Sequence, residues 1–279
     1  MTPDDGFAAP HVTISGAHIA EALAAAGRSL PDCHTLWSLA ELPEADQALD
    51  DHNSAVWPAF MFEDPVANRL WDLLHRQLRP FQLLLLGPDG GIVAAGNSAP
   101  LAWDGTDAGL PAGWDDQFER TAADLQAGSA VDALGALQIV VAPGRQGSGL
   151  SSLMVEAFRV HARLRGHRAL IACVRPTWKE RYPLASIQAY ATWRRDDGQP
   201  FDPWIRVHAR MGARIATPSP RSMAIVGTVA DWERWAGMAF PATGEYVVPR
   251  AAAIVTIDRD ADRGTYFDPN VWMVHALDR

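Results

Sequence analysis

The chain has 279 residues, with 24 basic and 33 acidic side chains and a formal net charge of -9. Nucleic-acid binding normally needs a basic face, so the acidic balance argues against it, although backbone N–H groups can still bind one anion. Hydrophobic residues make up 48% of the sequence, which is enough for a large core. We expect small-molecule partners rather than nucleic acid or a membrane, with a homodimer as one option.

The two cysteines, Cys33 and Cys173, are far apart in the sequence. Their spacing gives neither a disulfide framework nor a metal site, so we expect buried, reduced thiols, no metal and a cytoplasmic protein. Residues 1–16 lack the apolar segment of a signal peptide. No apolar run near either terminus reaches the roughly 18 residues that a membrane span needs.

The first half of the chain predicts an N-terminal extension, residues 1–30, followed by mixed helices and strands. Within the extension, Ser15 is a candidate cap for an alanine-rich helix that Gly27 ends. Asp64 followed by Pro65 is a second helix start, a cap with proline at the first helical position. The elements predicted after the extension are a strand at 34–39, helices at 41–56, 64–78 and 114–126, and a hairpin of strands at 81–86 and 91–95.

The clearest pattern is a strand, a glycine-rich loop, a helix and a second strand. A β-rich run at 137–141 precedes three glycines within 144–149, and helical periodicity begins at Leu150. Gly166 ends this helix, and 169–174 is typical of a buried strand. Such a unit places the start of a helix at the end of a strand.

The rest of the chain adds further helices and strands to the same α+β fold. Asp202 is the predicted cap of the last helix and Gly212 its end. There is no internal repeat and no low-complexity linker, so residues 31–279 are predicted to form one domain. The elements predicted here are helices at 184–195 and 203–211 and strands at 222–229, 246–256 and 271–276.

The glycine loop predicts an anion site. Several N–H groups meet at the positive end of the helix dipole, and glycine allows positive φ and close backbone approach. A pyrophosphate is the natural guest, but no lysine follows the glycines as in a P-loop, and neither GxGxxG nor GxSxG is present. The alternative is a tight turn whose glycines serve only the bend.

The residues around this loop match one further pattern, which follows a strand ending in Val-x-Pro. They are Val141, Gln146, Gly147, Ser148, Gly149, Leu150 and Ser151. In this order they resemble motif A of the GNAT N-acetyltransferase superfamily, (Gln/Arg)-x-x-Gly-x-(Gly/Ala). Ser151 stands where glycine or alanine is usual, a mild departure because serine is small. Outside the loop the likeness is an order of elements, over about residues 34–229.

The resemblance implies a GNAT-like mixed central sheet flanked by helices, with splayed strands that form a cleft for acyl-CoA. The donor would be acetyl-CoA or a longer acyl-CoA, held by the loop residues. The acyl group would pass directly to a small-molecule acceptor, first of all an amine. The alternatives are O-acyl transfer, decarboxylation or hydrolysis of acyl-CoA on the same scaffold, and a non-catalytic acyl-CoA-binding module.

The resemblance also suggests where the chemistry lies. In the family a tyrosine four residues before a helix-ending glycine commonly donates to the leaving thiolate, and counting back from Gly212 gives His208. Glu180 is the candidate general base, with Asp202 and a water chain as rivals. The acceptor pocket is predicted in the aromatic segment before His208, although these rings can equally form a core. The candidate substrate-binding residues are Trp178, Tyr182, Trp193 and Trp204.

Overall fold

The computed structural model describes residues 14–277, and these build a nine-stranded sheet with helices on both faces. The helices are α1 (Gly16–Ala25), α2 (Asp46–Ser54), α3 (Pro65–Leu70), α4 (Asp72–Arg76), α5 (Trp114–Ala127), α6 (Leu150–Leu164), α7 (Ile187–Thr192), α8 (Pro203–Arg210) and α9 (Val229–Ala236). The strands are β1 (Thr35–Ser38), β2 (Leu83–Leu86), β3 (Ile92–Leu101), β4 (Ala133–Val141), β5 (Ala169–Val174), β6 (Arg214–Gly227), β7 (Gly244–Tyr246), β8 (Val255–Asp258) and β9 (Arg263–Ala276). Within residues 14–277, no helix has the length and apolar character that a bilayer crossing requires.

The strands follow the order β1-β2-β3-β4-β5-β9-β8-β7, and β6 pairs with β9 as well. Neighbours run antiparallel except β4 and β5, which are parallel. A helix between two parallel neighbours is the usual crossover, and α6 supplies it here. The predicted mixed sheet flanked by helices is confirmed.

The parallel strands β4 and β5 pair over only four residues each. Ala133–Ala136 of β4 faces Ala169–Ala172 of β5, and beyond these pairs the two strands part. β4 nevertheless runs on to Val141 beside β3, and β5 runs on to Val174 beside β9. A wedge-shaped gap therefore opens inside the sheet, and the splayed strands expected from the resemblance are confirmed.

The two faces of the sheet carry separate cores. On one face α1, α6, α7 and α8 pack, and Phe158 of α6 is fully buried. On the other face α5 and α9 pack, with Trp114 and Trp232 buried. Phe158 lies directly over β3, where a Cβ added to Gly96 would come 2.5 Å from its ring. The close packing of ring on backbone fixes α6, and so fixes where its N-terminus lies.

Several predicted elements differ from the observed ones in their bounds. The helix predicted at 184–195 covers only Ile187–Thr192, because Ser186 caps its start and a bridge between Arg194 and Pro200 turns the chain back. The strand predicted at 246–256 is two short strands, β7 and β8. Residues 1–13 of the predicted extension lie outside the described residues, but Ile19 of α1 is fully buried in the core beside α6. Of the two thiols predicted to be buried, Cys173 is buried and Cys33 is exposed. The division into an extension and one domain stays a prediction.

Candidate active site

Glycine geometry shapes the loop between β4 and α6. Gly144, Gly147 and Gly149 have φ of +81°, +78° and +85°. An added Cβ at any of the three would meet nothing within 4 Å, so backbone conformation, not space, is what requires glycine. Other residues would pay about 1–2 kcal/mol each for the left-handed conformation. The predicted strand, glycine loop and helix are confirmed as a structural unit.

The same loop presents a row of backbone N–H groups without internal acceptors. Among the described residues, no backbone or side-chain acceptor binds the N–H groups of residues 146–152. Gly149 is the N-cap of the 15-residue helix α6 and offers no capping side chain, while the Ser148 hydroxyl donates to the Arg145 carbonyl. Exposed donors at a helix N-terminus suit a phosphate group. The loop residues predicted to hold the donor therefore have a geometry that fits its pyrophosphate.

A cavity of about 410 Å³ lies in the gap between β4 and β5. Residues 136–139 of β4 form one wall, and residues 172–175 at the end of β5 form another. Large aromatic side chains close much of the remainder, namely Trp57, Phe62, Trp71, Trp114 and Trp204. This volume and its mixed apolar and polar lining suit a small organic molecule.

His208 of α8 lines this cavity and is 2% exposed. Its Nδ1 lies 2.9 Å from Nε2 of His275 on β9, and the ring of Trp204 packs edge-on at 4.5 Å. Burial, with His275 as the lesser cause, holds the pKa of His208 well below its ordinary value. Burial likewise lowers the pKa of His275 to about 3. Both rings are therefore neutral near pH 7. One of the two facing nitrogens carries a proton and donates it in a hydrogen bond to the other.

Arg175 and Asp268 form a buried ion pair in the cavity wall. Nε of Arg175 donates to Oδ1 of Asp268 at 2.9 Å, and the side chains are 16% and 0% exposed. The Tyr266 hydroxyl donates to the same carboxylate oxygen at 2.5 Å. With its amide turned so that both groups are satisfied, Asn270 donates to the other oxygen at 2.9 Å. Asp268 therefore accepts three hydrogen bonds from the side chains around it.

A second carboxylate, Asp50 of α2, also lines the cavity, although it lies far from Asp268 in the sequence. Its Oδ1 accepts from Nε2 of His75 at 3.1 Å and from Nε1 of Trp71 at 3.2 Å. Burial favours its neutral form, but the hydrogen bonds from His75 and Trp71 outweigh burial, so the pKa of Asp50 is lowered. The same pair raises the pKa of His75, chiefly through the hydrogen bond to Asp50. Asp50 is thus an ionised group in the cavity wall.

An amide network fixes the polar wall between these groups. Nδ2 of Asn53 and Nε2 of Gln138 both donate to Oδ1 of the buried Asn97, at 3.0 and 2.9 Å. Asn97 lies at an irregularity in the β3–β4 pairing, where the register shifts by one residue. Trp57 donates through Nε1 to Oε1 of Gln138 at 3.1 Å. These bonds hold Asn53, Gln138 and Trp57 against the cavity in one arrangement.

Comparison with known proteins gives one sequence relative and a shared fold, although no family model matches the chain. The chain is 29% identical over 282 residues to the arginine N-acetyltransferase avaD of Aspergillus versicolor, covering 90% of this chain and 97% of the relative. The loading GNATL domain of CurA from Lyngbya majuscula has a TM-score of 0.52 at 15% identity, covering 87% of this chain and 97% of that domain. A GphF GNAT-like decarboxylase in complex with isobutyryl-CoA has a TM-score of 0.51 at 21% identity, covering 85% and 96%.

The full-length alignment, the shared fold and the glycine loop beside a split sheet agree with one another. The chain has the fold of GNAT proteins, and it aligns along 90% of its length with an N-acetyltransferase. The resemblance inferred from residues 141–151 is therefore confirmed. At sequence identities of 15% and 21%, the two solved structures support the fold alone.

Three of the four predicted substrate-binding aromatics lie away from the cavity. Trp178, Tyr182 and Trp193 pack with Tyr190 and Phe201 into a separate cluster, with ring centroids 5.0–6.2 Å apart. None of these rings contributes to the lining. The cluster is the core that the sequence left open as the alternative to an acceptor pocket. Trp204 is the member of the predicted set that the structure brings to His208.

The two carboxylates considered as general base are not at the cavity either. Glu180 lies half-buried in the short helix Lys179–Arg181 and does not line the cavity. Asp202 caps α8, accepting from the backbone N–H groups of Trp204 and Ile205 at 2.9 and 3.2 Å, and it also accepts from the Tyr190 hydroxyl at 2.9 Å. The interpretation of Asp202 as a helix cap is confirmed.

The sequence reasoning missed most of the polar cavity wall. Arg175 follows directly on the buried strand β5, and a charged residue at that point of a sheet was a signal that could have found it. Asp268 lies in the C-terminal stretch 266–272, which the sequence leaves open either as a cover over the pocket or as a strand with its turn. Asp50 and Asn53 lie in an acidic helix that gave no sign of facing a ligand. Asp50 and Asn53 of α2 lie near Arg175 and Asp268 only in the folded chain, where α2 and the ends of β5 and β9 meet at the cavity.

Proposed function

We propose that this chain transfers an acyl group, acetyl above all, from acyl-CoA to the amine of an amino acid. The observation that carries the proposal is the cavity in the gap between β4 and β5, on the strand that leads into the glycine loop. A donor held at the loop and an acceptor in the gap would meet inside the sheet. Holding two reactants in this way replaces a bimolecular encounter with a local one, which is worth several kcal/mol.

The donor is proposed to bind through its pyrophosphate at residues 146–151. The N–H groups there have no internal acceptor, and the α6 dipole adds roughly 0.3–2 kcal/mol for an anion. Val141, the last residue of β4, lies between this loop and the cavity. The pantetheine arm would therefore run along β4 toward the gap.

The acceptor is proposed to be arginine or another cationic amino acid. Asp50 gives the cavity an ionised carboxylate, and the faces of Trp57 and Trp71 give it apolar surface for an alkyl stem. The relative that aligns along 90% of the chain is an arginine N-acetyltransferase, which supports the same acceptor class here.

His208 is proposed to stabilise the leaving CoA thiolate as a neutral hydrogen-bond donor. A neutral ring can donate from Nε2 if His275 donates its Nε2–H to Nδ1 of His208, which is the tautomer that the proposal requires. The lowered pKa of His208 favours this role over that of a charged imidazolium acid. With Glu180 off the cavity and Asp202 used as a cap, the amine is proposed to lose its proton to water.

The test is release of CoA thiol from acetyl-CoA in the presence of a panel of amino acids and amines, with the product mass measured. Transfer to arginine above the other acceptors is the expected result. Thiol release without any acceptor would instead favour hydrolysis, and loss of CO₂ from malonyl-CoA would favour decarboxylation. Acetyl-CoA binding with no turnover would indicate a non-catalytic module.

A further inference from the structure

Arg175 stands out among the cavity residues because it is held rigidly while part of its guanidinium is unused. Nε donates to Asp268 at 2.9 Å and Nη2 donates to the Arg250 carbonyl at 3.0 Å. Its guanidinium carbon also lies 5.8 Å from the centroid of the Trp57 ring. A guanidinium has five N–H donors, and within residues 14–277 none of those on Nη1 has an acceptor.

The side chains immediately around Arg175 carry more positive than negative charge, which favours binding of an anion. Lys179 is 1% exposed, and its Nζ donates to the carbonyls of Tyr182 and Ala252 at 2.9 and 2.6 Å. Burial first, then repulsion from Arg175, lowers the pKa of Lys179 to about 8, so this group is still largely cationic at pH 7. Arg175 and Lys179 thus both lie near one carboxylate, Asp268, which already accepts hydrogen bonds from Arg175, Tyr266 and Asn270.

We propose that Arg175 binds the carboxylate of the acceptor, and so makes the site selective for amino acids over amines that lack a carboxylate. This inference rests on the proposed function and names the residue that reads the acceptor. A planar guanidinium held at two of its nitrogens offers the remaining nitrogen in a fixed direction, and carboxylates pair with such groups through short, charge-assisted bonds. Asp50 would bind the cationic end of the same molecule, since both residues line one cavity.

The experiment compares arginine with agmatine, which is arginine without its carboxylate, as acceptors for acetyl-CoA. The variants are Arg175→Lys, which keeps a charge for Asp268, and the double variant Arg175→Gln with Asp268→Asn, which removes both charges so that neither stays buried alone. The matched control is Arg221→Lys, because Arg221 also packs on an aromatic ring, Phe267, at 3.5 Å but does not line the cavity. Thermal unfolding establishes that each variant is folded.

We expect the Arg175 variants to raise the KM for arginine by about 10- to 100-fold, the range for loss of a charge-assisted hydrogen bond, and to leave the KM values for agmatine and acetyl-CoA unchanged. The wild type should prefer arginine, and Arg221→Lys should match the wild type. Equal losses for arginine and agmatine, or a raised KM for acetyl-CoA alone, would overturn the role of Arg175 while the proposed function stands. Failure of the wild type to acylate any amine would overturn the proposed function itself.

Discussion

The glycine loop and the cavity beside it are built in opposite ways. The loop is one exposed run of chain, residues 143–149, and its backbone N–H donors are oriented by positive φ at three glycines. The cavity is assembled from side chains as far apart in sequence as Asp50 and Asn270. The loop offers what any pyrophosphate carrier needs, while the cavity carries the features that distinguish one small molecule from another. Damage to the two regions should therefore have different kinetic signatures.

The largest effect is expected from Gly149→Glu. It places a carboxylate in the proposed phosphate site and forces a side chain onto a residue with φ of +85°, so affinity for CoA should fall by about 100-fold or more. Calorimetry with CoA measures this. The control is Gly198→Glu, whose φ is +75° and which likewise has open space around it but lies outside the loop. Equal CoA affinity in the two variants would show that the donor binds elsewhere.

His208→Gln tests the residue that is proposed to stabilise the leaving thiolate, where the donor from the loop reaches the cavity. If the imidazole stabilises the thiolate, kcat should fall by about 10²-fold while the KM for acetyl-CoA stays unchanged. His167→Gln is the control, since burial lowers the pKa of His167 to about 4 but the residue does not line the cavity. Steady-state kinetics on both variants decide the matter, and a wild-type kcat in His208→Gln would refute the assignment.

Variants at Trp204 and Trp193 distinguish the role of the cavity from that of the neighbouring aromatic cluster. Trp204 lines the cavity, and Trp193 packs in the cluster. Trp204→Ala removes the ring that packs on His208 at 4.5 Å, so the acceptor KM should rise by about 10-fold. Trp193→Ala opens the cluster instead, and should lower the free energy of unfolding by about 3 kcal/mol with the acceptor KM unchanged. Kinetics and chemical denaturation on the two variants measure the contrast. A raised KM in Trp193→Ala would bring the cluster back into the acceptor site.

The smallest effect concerns stability rather than catalysis, at Asp115 in the first turn of α5. Burial, and next the neighbouring Asp64, raises the pKa of Asp115 to about 8. The folded state therefore binds a proton that the unfolded state releases, and stability should decline as pH rises toward 8. Asp115→Asn should flatten this decline between about pH 5 and 8, the interval in which only the folded state holds the proton, while Oδ1 of the new amide can still accept from the Ala224 N–H. Unfolding temperatures measured across this range test the expectation, and parallel slopes would contradict it.

The fold and the loop could be predicted from the sequence because their signals are local. Glycines, a β-rich run and helical periodicity lie together between residues 137 and 174, and the structure keeps them in that order. The cavity wall could not be predicted, because Asp50, Arg175 and Asp268 carry no common spacing. The aromatic segment misled for a related reason. Its composition suits a pocket and a core equally well, and the sequence does not show the bridge between Arg194 and Pro200 that brings Trp193 beside Phe201.

The position of β9 has a consequence for the order in which the protein can form. This late strand lies inside the sheet, between β5 and β8, and pairs with β6 as well. It also brings Asp268 and Asn270 to the cavity and His275 to His208. During synthesis the β1–β4 half can gather its partners early, whereas the acceptor side must wait until residues 263–276 have been made. Contacts of such large sequence separation form slowly, so recognition of the acceptor should be the last property that the folding chain acquires.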